Sequence, residues 1–282
     1  MKKKPGSLRP DEYNLRCHVV PALGNKKVAD ITRADIAELH FAMHETPGAA
    51  NRVLALLSKM FNLAEQWGYR PDHSNPVRHI ERYKEKRFER FLSAEELARL
   101  GDVLAEAERT QSEYPSVIAA IRLLIFTGAR LSEILELQWD YVDFDNVCLR
   151  LPDSKSGAKV IYLSAPALSV LYNIDRHENN PYVIVGREPL SHLVNLRKPW
   201  ARIRAKAGLD DFRLHDLRHS FASVGAGLGV SLPIIGKMLG HTQAATTQRY
   251  AHLAADPVKE ATDKIGETIA AALQGGVSSE TI

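Results

Sequence analysis

The sequence predicts a mainly α protein (α+β) of two domains: a helical domain of residues 1–85, then a mostly helical domain of residues 91–282 with a small antiparallel sheet. Three observations carry this. Two helix starts are written as capping boxes, Thr32 with Asp35 and Ser93 with Glu96, in which each first side chain accepts from the backbone three residues on. Only one pair of segments alternates like strands, "VCLRL" and "KVIYL", and the intervening "PDSKSGA" reads as a hairpin turn. Between them in character lies "YRPDHSNPVRHIERYKEKRFER", with two prolines, many charges and little apolar period, so the domain boundary falls at a linker near residues 70–90.

In chain order, the Thr32 box opens the helix "RADIAELHFAM". After Pro47-Gly48, the residues Val53, Leu54, Leu57, Met60, Phe61 and Ala64 recur at three- and four-residue steps, an amphipathic helix that ends at Gly68. The second domain begins with a helix at Ser93, followed by "SVIAAIRLLIF", apolar nearly all round and therefore a buried helix, stopped at Thr127-Gly128. "YVIV" has the composition of one more strand. Helices return from Ser191, broken at Gly208, Gly227–Gly229 and Gly240, and a tail helix is expected from about residue 256.

Composition excludes several classes. Cys17 and Cys148 are far apart and form no CxxC pair, so neither a disulfide framework nor a structural zinc site is indicated, and a reducing cytoplasm fits. No apolar segment follows the basic N-terminus, and no run of 18 apolar residues occurs, so the chain reads as neither secreted nor membrane-spanning. GxGxxG and GxxxxGK[ST] are both missing, which removes support for dinucleotide and P-loop sites. The net charge is only +3, but Arg78, Arg82, Lys84, Lys86 and Arg87 cluster in the linker, and "LRKPWARIRAKAG" is a second basic stretch. Each is either a solvated face or a contact for a polyanion.

Four places hold ionisable groups that a fold alone does not require. Arg130, in "TGARLSE", follows the buried helix, and Glu133 three residues on is an internal partner for its guanidinium. Lys155 stands in the hairpin turn, where a mobile ammonium can act as a proton donor. "RLHDLRHSFAS" puts His215, Arg218 and His219 on one helix face. The i, i+4 histidines copy a zinc-binding spacing, yet position 216 is Asp, no third ligand is evident and Arg218 would oppose a metal, so an anion suits the face better. "LGHTQAATTQRYAH" supplies His241 and, nine residues later, Tyr250. Together these groups suit phosphoryl transfer without a metal: guanidiniums and histidines neutralise the transition state, and a tyrosine with an ordinary pKa of about 10 needs those cations and a base, for which His215 could serve.

"TGARLSEILELQW", Lys155, "HDLRHSFAS" and "LGHTQAATTQRYAH", in this order across residues 93–255, resemble the catalytic boxes of the tyrosine recombinases, the phage integrase family. The first 85 or so residues resemble the family's helical core-DNA-binding domain. The resemblance implies the tyrosine-recombinase fold, with Arg130, Lys155, His215, Arg218 and His241 around the scissile phosphate, Tyr250 as nucleophile and Glu133 supporting Arg130. It implies strand cleavage through a 3′-phosphotyrosyl link with neither ATP, metal nor other cofactor, for integration or excision of a mobile element. The partners implied are duplex DNA, clamped between the two domains and touched by the basic linker; further copies of the chain, as a tetramer on synapsed DNA; and accessory DNA-bending or directionality factors. The implied setting is the cytoplasm of a bacterium, on its nucleoid. Family members of mobile elements often carry an arm-site-binding domain ahead of this one, whereas here the helical domain begins almost at Met1. The tail helix is expected to dock on a neighbouring subunit or to pack in cis. A type IB topoisomerase, or a DNA-binding regulator that has lost catalysis, shares the fold and stands as the alternative.

Overall fold

The computed structural model describes residues 5–85, 90–154, 157–253, 262 and 265–270. The chain divides into two units, Met1–Phe88 and Glu89–Ile282, each with its own core.

In the first unit, α1 (Pro5–Asn14) runs through a π-type turn into α2 (Val20–Leu23). α3 (Arg33–Ala42) starts where its capping box predicts: Thr32 Oγ1 accepts from the Asp35 N–H at 3.3 Å, and the Asp35 carboxylate accepts from the Thr32 N–H at 2.8 Å. α4 (Pro47–Gln66) buries Val53, Leu54, Leu57, Phe61 and Ala64. Met60, expected with them, is 40% exposed, because it falls at the edge of the arc that the others share.

The stretch expected to be a linker begins as part of this unit. The Arg70 guanidinium donates to the carbonyls of Val28, Ala29 and Ile31 at 2.5–3.0 Å and lies over the Phe61 ring. Asn75 is buried and donates to Ser58 and Asn62, Val77 enters the core, and Tyr83 stacks on His40 with ring centroids 4.2 Å apart. Polar side chains here supply the backbone partners that an irregular path lacks, which hydropathy does not register. Of the basic residues assigned to DNA, Arg78 is held by the His73 carbonyl at 3.3 Å and lies 3.8 Å from Glu65, Arg82 and Lys84 are exposed, and Lys86 and Arg87 fall outside the described residues.

In the second unit, α5 (Ala94–Arg109) starts from the Ser93 capping box. α6 (Pro115–Thr127) is the buried axis, and it stops at Gly128, whose φ of +60° suits glycine. A Cβ there would stand 2.5 Å from the Phe221 ring, so space as well as backbone demands glycine. α7 (Leu131–Leu135) follows, then a three-stranded antiparallel sheet of β1 (Val142–Asp143), β2 (Cys148–Ser154) and β3 (Gly157–Tyr162), in that spatial order. The hairpin is the expected one, with Leu149 opposite Ile161; β1, two residues long, carries no alternation to read. "YVIV" is not a strand: it makes only the isolated bridges Gln138–Tyr182 and Val185–His192. Val183 and Ile184 are buried, so the apolar run reports burial rather than pairing.

α8 (Ala165–Tyr172) and α9 (Arg197–Lys206) flank the core, α9 starting later than the expected Ser191. The second basic stretch is α9, where Trp200 and Ile203 are buried, Arg202 pairs with Glu113 at 2.6 Å and Arg204 donates to the Phe212 carbonyl. A structural role thus accounts for these arginines. α10 (Asp216–Gly227), α11 (Leu232–Leu239), α12 (Ala244–Thr247) and a 3₁₀ turn (Gln248–Leu253) complete this part, and residues 265–270 are helical, with Ile265 and Ile269 exposed.

Candidate active site

Arg218 is 4% exposed, and a guanidinium keeps its charge when buried only if its donors are met. One nitrogen donates to the Gly128 carbonyl at 2.7 Å and another to the Leu239 carbonyl at 2.5 Å, tying the end of α6 to the end of α11. Two of five donors are thereby used, leaving three in the fork. Burial, together with the Arg130 charge, pushes Arg218 down to about 10.

Arg130 immediately precedes α7. Its backbone N–H and its Nη1 both donate to the Glu133 carboxylate, at 2.9 and 2.7 Å, while Nη2 donates to the Gly240 carbonyl at 3.2 Å. The two arginines therefore grip successive carbonyls, Leu239 and Gly240, directly before His241. That segment turns through Gly240 at φ +67°, the left-handed end of α11.

Beneath Gly240 lies a residue that the sequence reading passed over. Lys159, on the inward face of β3, is buried, and its Nζ donates to Glu133 at 3.1 Å. A Cβ on Gly240 would stand 3.0 Å from Lys159 Cε. Burial lowers the lysine's pKa, which Glu133 only partly opposes. Burial raises the Glu133 carboxyl in turn, but the Arg130 N–H, Lys159 and the Arg130 guanidinium outweigh it and hold the group below its usual range. The available signal was the second lysine of "SKSGAK", four residues after Lys155 and inward by strand alternation. Lys155 itself lies outside the described residues. Lys159→Met removes one cation from a buried carboxylate that Arg130 still holds, and should cost about 3 kcal/mol. Chemical denaturation checks this: a loss under about 1 kcal/mol would count against the bridge.

His215 caps α10 rather than lying within it, and burial, then the Arg218 charge, lower its pKa. Asp216 accepts from the Arg213 backbone and guanidinium at 2.7–2.9 Å, fixing the turn that presents His215. His241 Nδ1 meets Thr247 Oγ1 at 2.8 Å; burial, then the Arg218 and Arg130 charges, lower its pKa to about 4.

Tyr250 is 3% exposed, packed with Ala222, Ala226, Ile235 and Leu239, although its segment is too polar to read as core. Its hydroxyl lies 2.5 Å from His219 Nδ1. His215, expected to serve as its base, instead meets the His219 ring edge to face at 5.0 Å. The zinc spacing is thus taken up by a ring contact and by the tyrosine. The site concentrates cations, with neutral imidazoles beside them, around the turn that ends α11, an arrangement that suits a phosphodiester.

Residues 90–256 match the model of the phage integrase family, and residues 2–43 match a phage integrase N-terminal SAM-like domain. The chain belongs to the phage integrase family. It is a tyrosine recombinase, an enzyme that breaks and rejoins DNA strands. Among relatives, tyrosine recombinase XerD of Neisseria meningitidis serogroup B is 25% identical over 242 residues, spanning 81% of this chain and 80% of that one. Tyrosine recombinase XerA of Pyrococcus furiosus is 30% identical over 151 residues, 51% of this chain and 52% of that one. A lambda integrase dimer bound to a COC′ core site has the same fold, with a TM-score of 0.72 at 20% identity over 87% of this chain and 91% of that one. So has the Tn1549 transposon integrase in complex with circular intermediate DNA, at 0.69 and 19% over 93% of this chain and 94% of that one. The topoisomerase and regulator alternatives are not favoured by these likenesses. Among the described residues, no helix is long and apolar enough to cross a membrane.

Proposed function

We propose that this chain performs site-specific recombination with Tyr250 as nucleophile and Arg130, Arg218, His215 and His241 as the cradle of the scissile phosphate. The observation that carries this reading is the pair of guanidiniums gripping the Leu239 and Gly240 carbonyls beside His241, which fixes two cations in one place before any substrate arrives. Glu133 holds Arg130 in that place. Thr247 engages His241 Nδ1, which supports a role for Nε2 toward a phosphate oxygen.

In the first step Tyr250 Oη passes its proton to a neighbouring imidazole and bonds to phosphorus as the P–O5′ bond breaks, leaving a 3′-phosphotyrosyl strand and a 5′ hydroxyl protonated by Lys155. In the second, a partner strand's 5′ hydroxyl attacks the same phosphorus and releases Tyr250. One phosphate ester is exchanged for another at each step, so no ATP is consumed. Unit Met1–Phe88 would bind the duplex, with exposed Arg82 and Lys84 on its phosphates. Further copies of the chain, as a tetramer, would complete exchange between two sites, with accessory DNA-bending or directionality factors, during integration or excision of a mobile element in a bacterial cytoplasm. The exposed Ile265 and Ile269 would bind a neighbouring copy.

The test is a nicked duplex of the bound site, recovered by selecting DNA on the purified protein, which loses its short 5′-hydroxyl strand on cleavage and traps the intermediate. Digestion and mass spectrometry should find a 3′-linked nucleotide on the Tyr250 peptide. Linkage to another residue, or through a 5′ phosphate, would overturn the assignment.

A further inference from the structure

The residue after Arg218 has no part in the phosphate cradle, yet it touches the nucleophile. His219 is 9% exposed, and its Nδ1 lies 2.5 Å from the hydroxyl of Tyr250, which is itself packed with Ala222, Ala226 and Leu239. A phenol with an ordinary pKa donates, so Nδ1 accepts and the ring carries its proton on Nε2. The Tyr250 ring packs 6.0 Å from that of His219, and the His215 ring meets His219 edge to face at 5.0 Å. Tyr250 therefore sits with its proton already aimed at a basic nitrogen.

We infer that His219 is the general base of strand cleavage, taking the Tyr250 proton onto Nδ1 as Oη bonds to phosphorus and returning it when the tyrosine leaves. This rests on the reading of Tyr250 as nucleophile. The step balances: the proton passes from Oη to Nδ1, the O–P bond forms, the P–O5′ bond breaks, and the leaving oxygen takes its proton from the acid on its own side. The imidazolium formed is the acid for the reverse attack, so one residue serves both half-reactions.

The surroundings support the role. Burial holds the resting ring neutral, with a pKa near 4, followed by His215 and Arg249; Arg213 acts in the same direction and Asp216 opposes. A neutral ring is a free proton acceptor. A bound phosphodiester adds a negative charge to that of Asp216, and an anion nearby raises the basicity of an imidazole. His219 thus becomes an effective base when DNA is in place, which limits activation of Tyr250 to the complex.

His219→Asn separates this role from simple packing. Asparagine Oδ1 occupies the place of Nδ1 and still accepts the Tyr250 hydrogen bond, but it cannot take up the proton near neutral pH. On the nicked substrate, single-turnover cleavage should fall about 10²-fold or more, and the acidic limb of the pH–rate profile should disappear. Substituting sulfur for the bridging 5′ oxygen, which makes the leaving group independent of an acid, should not restore the rate. A wild-type rate, a retained acidic limb or rescue by sulfur would each overturn the inference. If thermal denaturation shows that His219→Asn does not fold, His219→Gln is read by the same criteria. Failure of the underlying reading looks different: Tyr250→Phe would then still form an adduct.

Discussion

Tyr250→Phe should abolish covalent capture of DNA while leaving the protein folded and able to bind its site. The side chain is buried among Ala222, Ala226, Ile235 and Leu239, and phenylalanine fills the same volume. What is lost is one hydroxyl and its contact with His219, which costs about 1–3 kcal/mol because a buried acceptor is left unsatisfied. Chemistry, by contrast, loses its only proposed nucleophile. On the nicked substrate no adduct should accumulate above background, while electrophoretic shift of intact site DNA should change by less than about threefold, under 1 kcal/mol. An adduct formed by the phenylalanine variant would remove Tyr250 from the mechanism.

Arg218→Ala should be nearly as severe in cleavage and more severe in stability. Its guanidinium is both the proposed cation for the phosphate and the tie between the Gly128 and Leu239 carbonyls, so alanine removes a cation and leaves two buried acceptors unmet. Cleavage should drop by about 10²- to 10³-fold, the scale of losing one preorganised donor to a transition-state oxygen. Arg218→Lys separates the two contributions. It keeps the charge, but a single ammonium cannot reproduce a planar fork, so cleavage should still fall by at least about 10-fold. Cleavage by either variant at the wild-type single-turnover rate would exclude Arg218 from the site.

Much of this enzyme was legible in its residues. Both capping boxes, the buried helix ended by Gly128 and the β2–β3 hairpin follow from contacts between near neighbours in sequence, and so do Arg130 with Glu133. Spacing also put Arg218 beside His215. Where the reading strayed, distant contacts decided. Arg70 and Asn75 looked like linker residues but satisfy carbonyls of Val28 and Ser58. "YVIV" looked like a strand and is simply buried. Lys159 was one more lysine near a turn until β3 brought it beneath Gly240 and against Glu133, 26 residues away.

The sequence by itself determined the helical class, the hairpin, the order of the boxes and the identity of the charged groups, because each depends on chain-local geometry and on residue chemistry. Only the tertiary structure decided which histidine touches Tyr250. His215 and His219 share one turn of chain, and the sequence pointed to His215 as the base; the return of the chain through α11, α12 and the 3₁₀ turn brings the hydroxyl to His219 Nδ1 instead. That choice rests on where a residue 31 positions away packs, which no local pattern encodes.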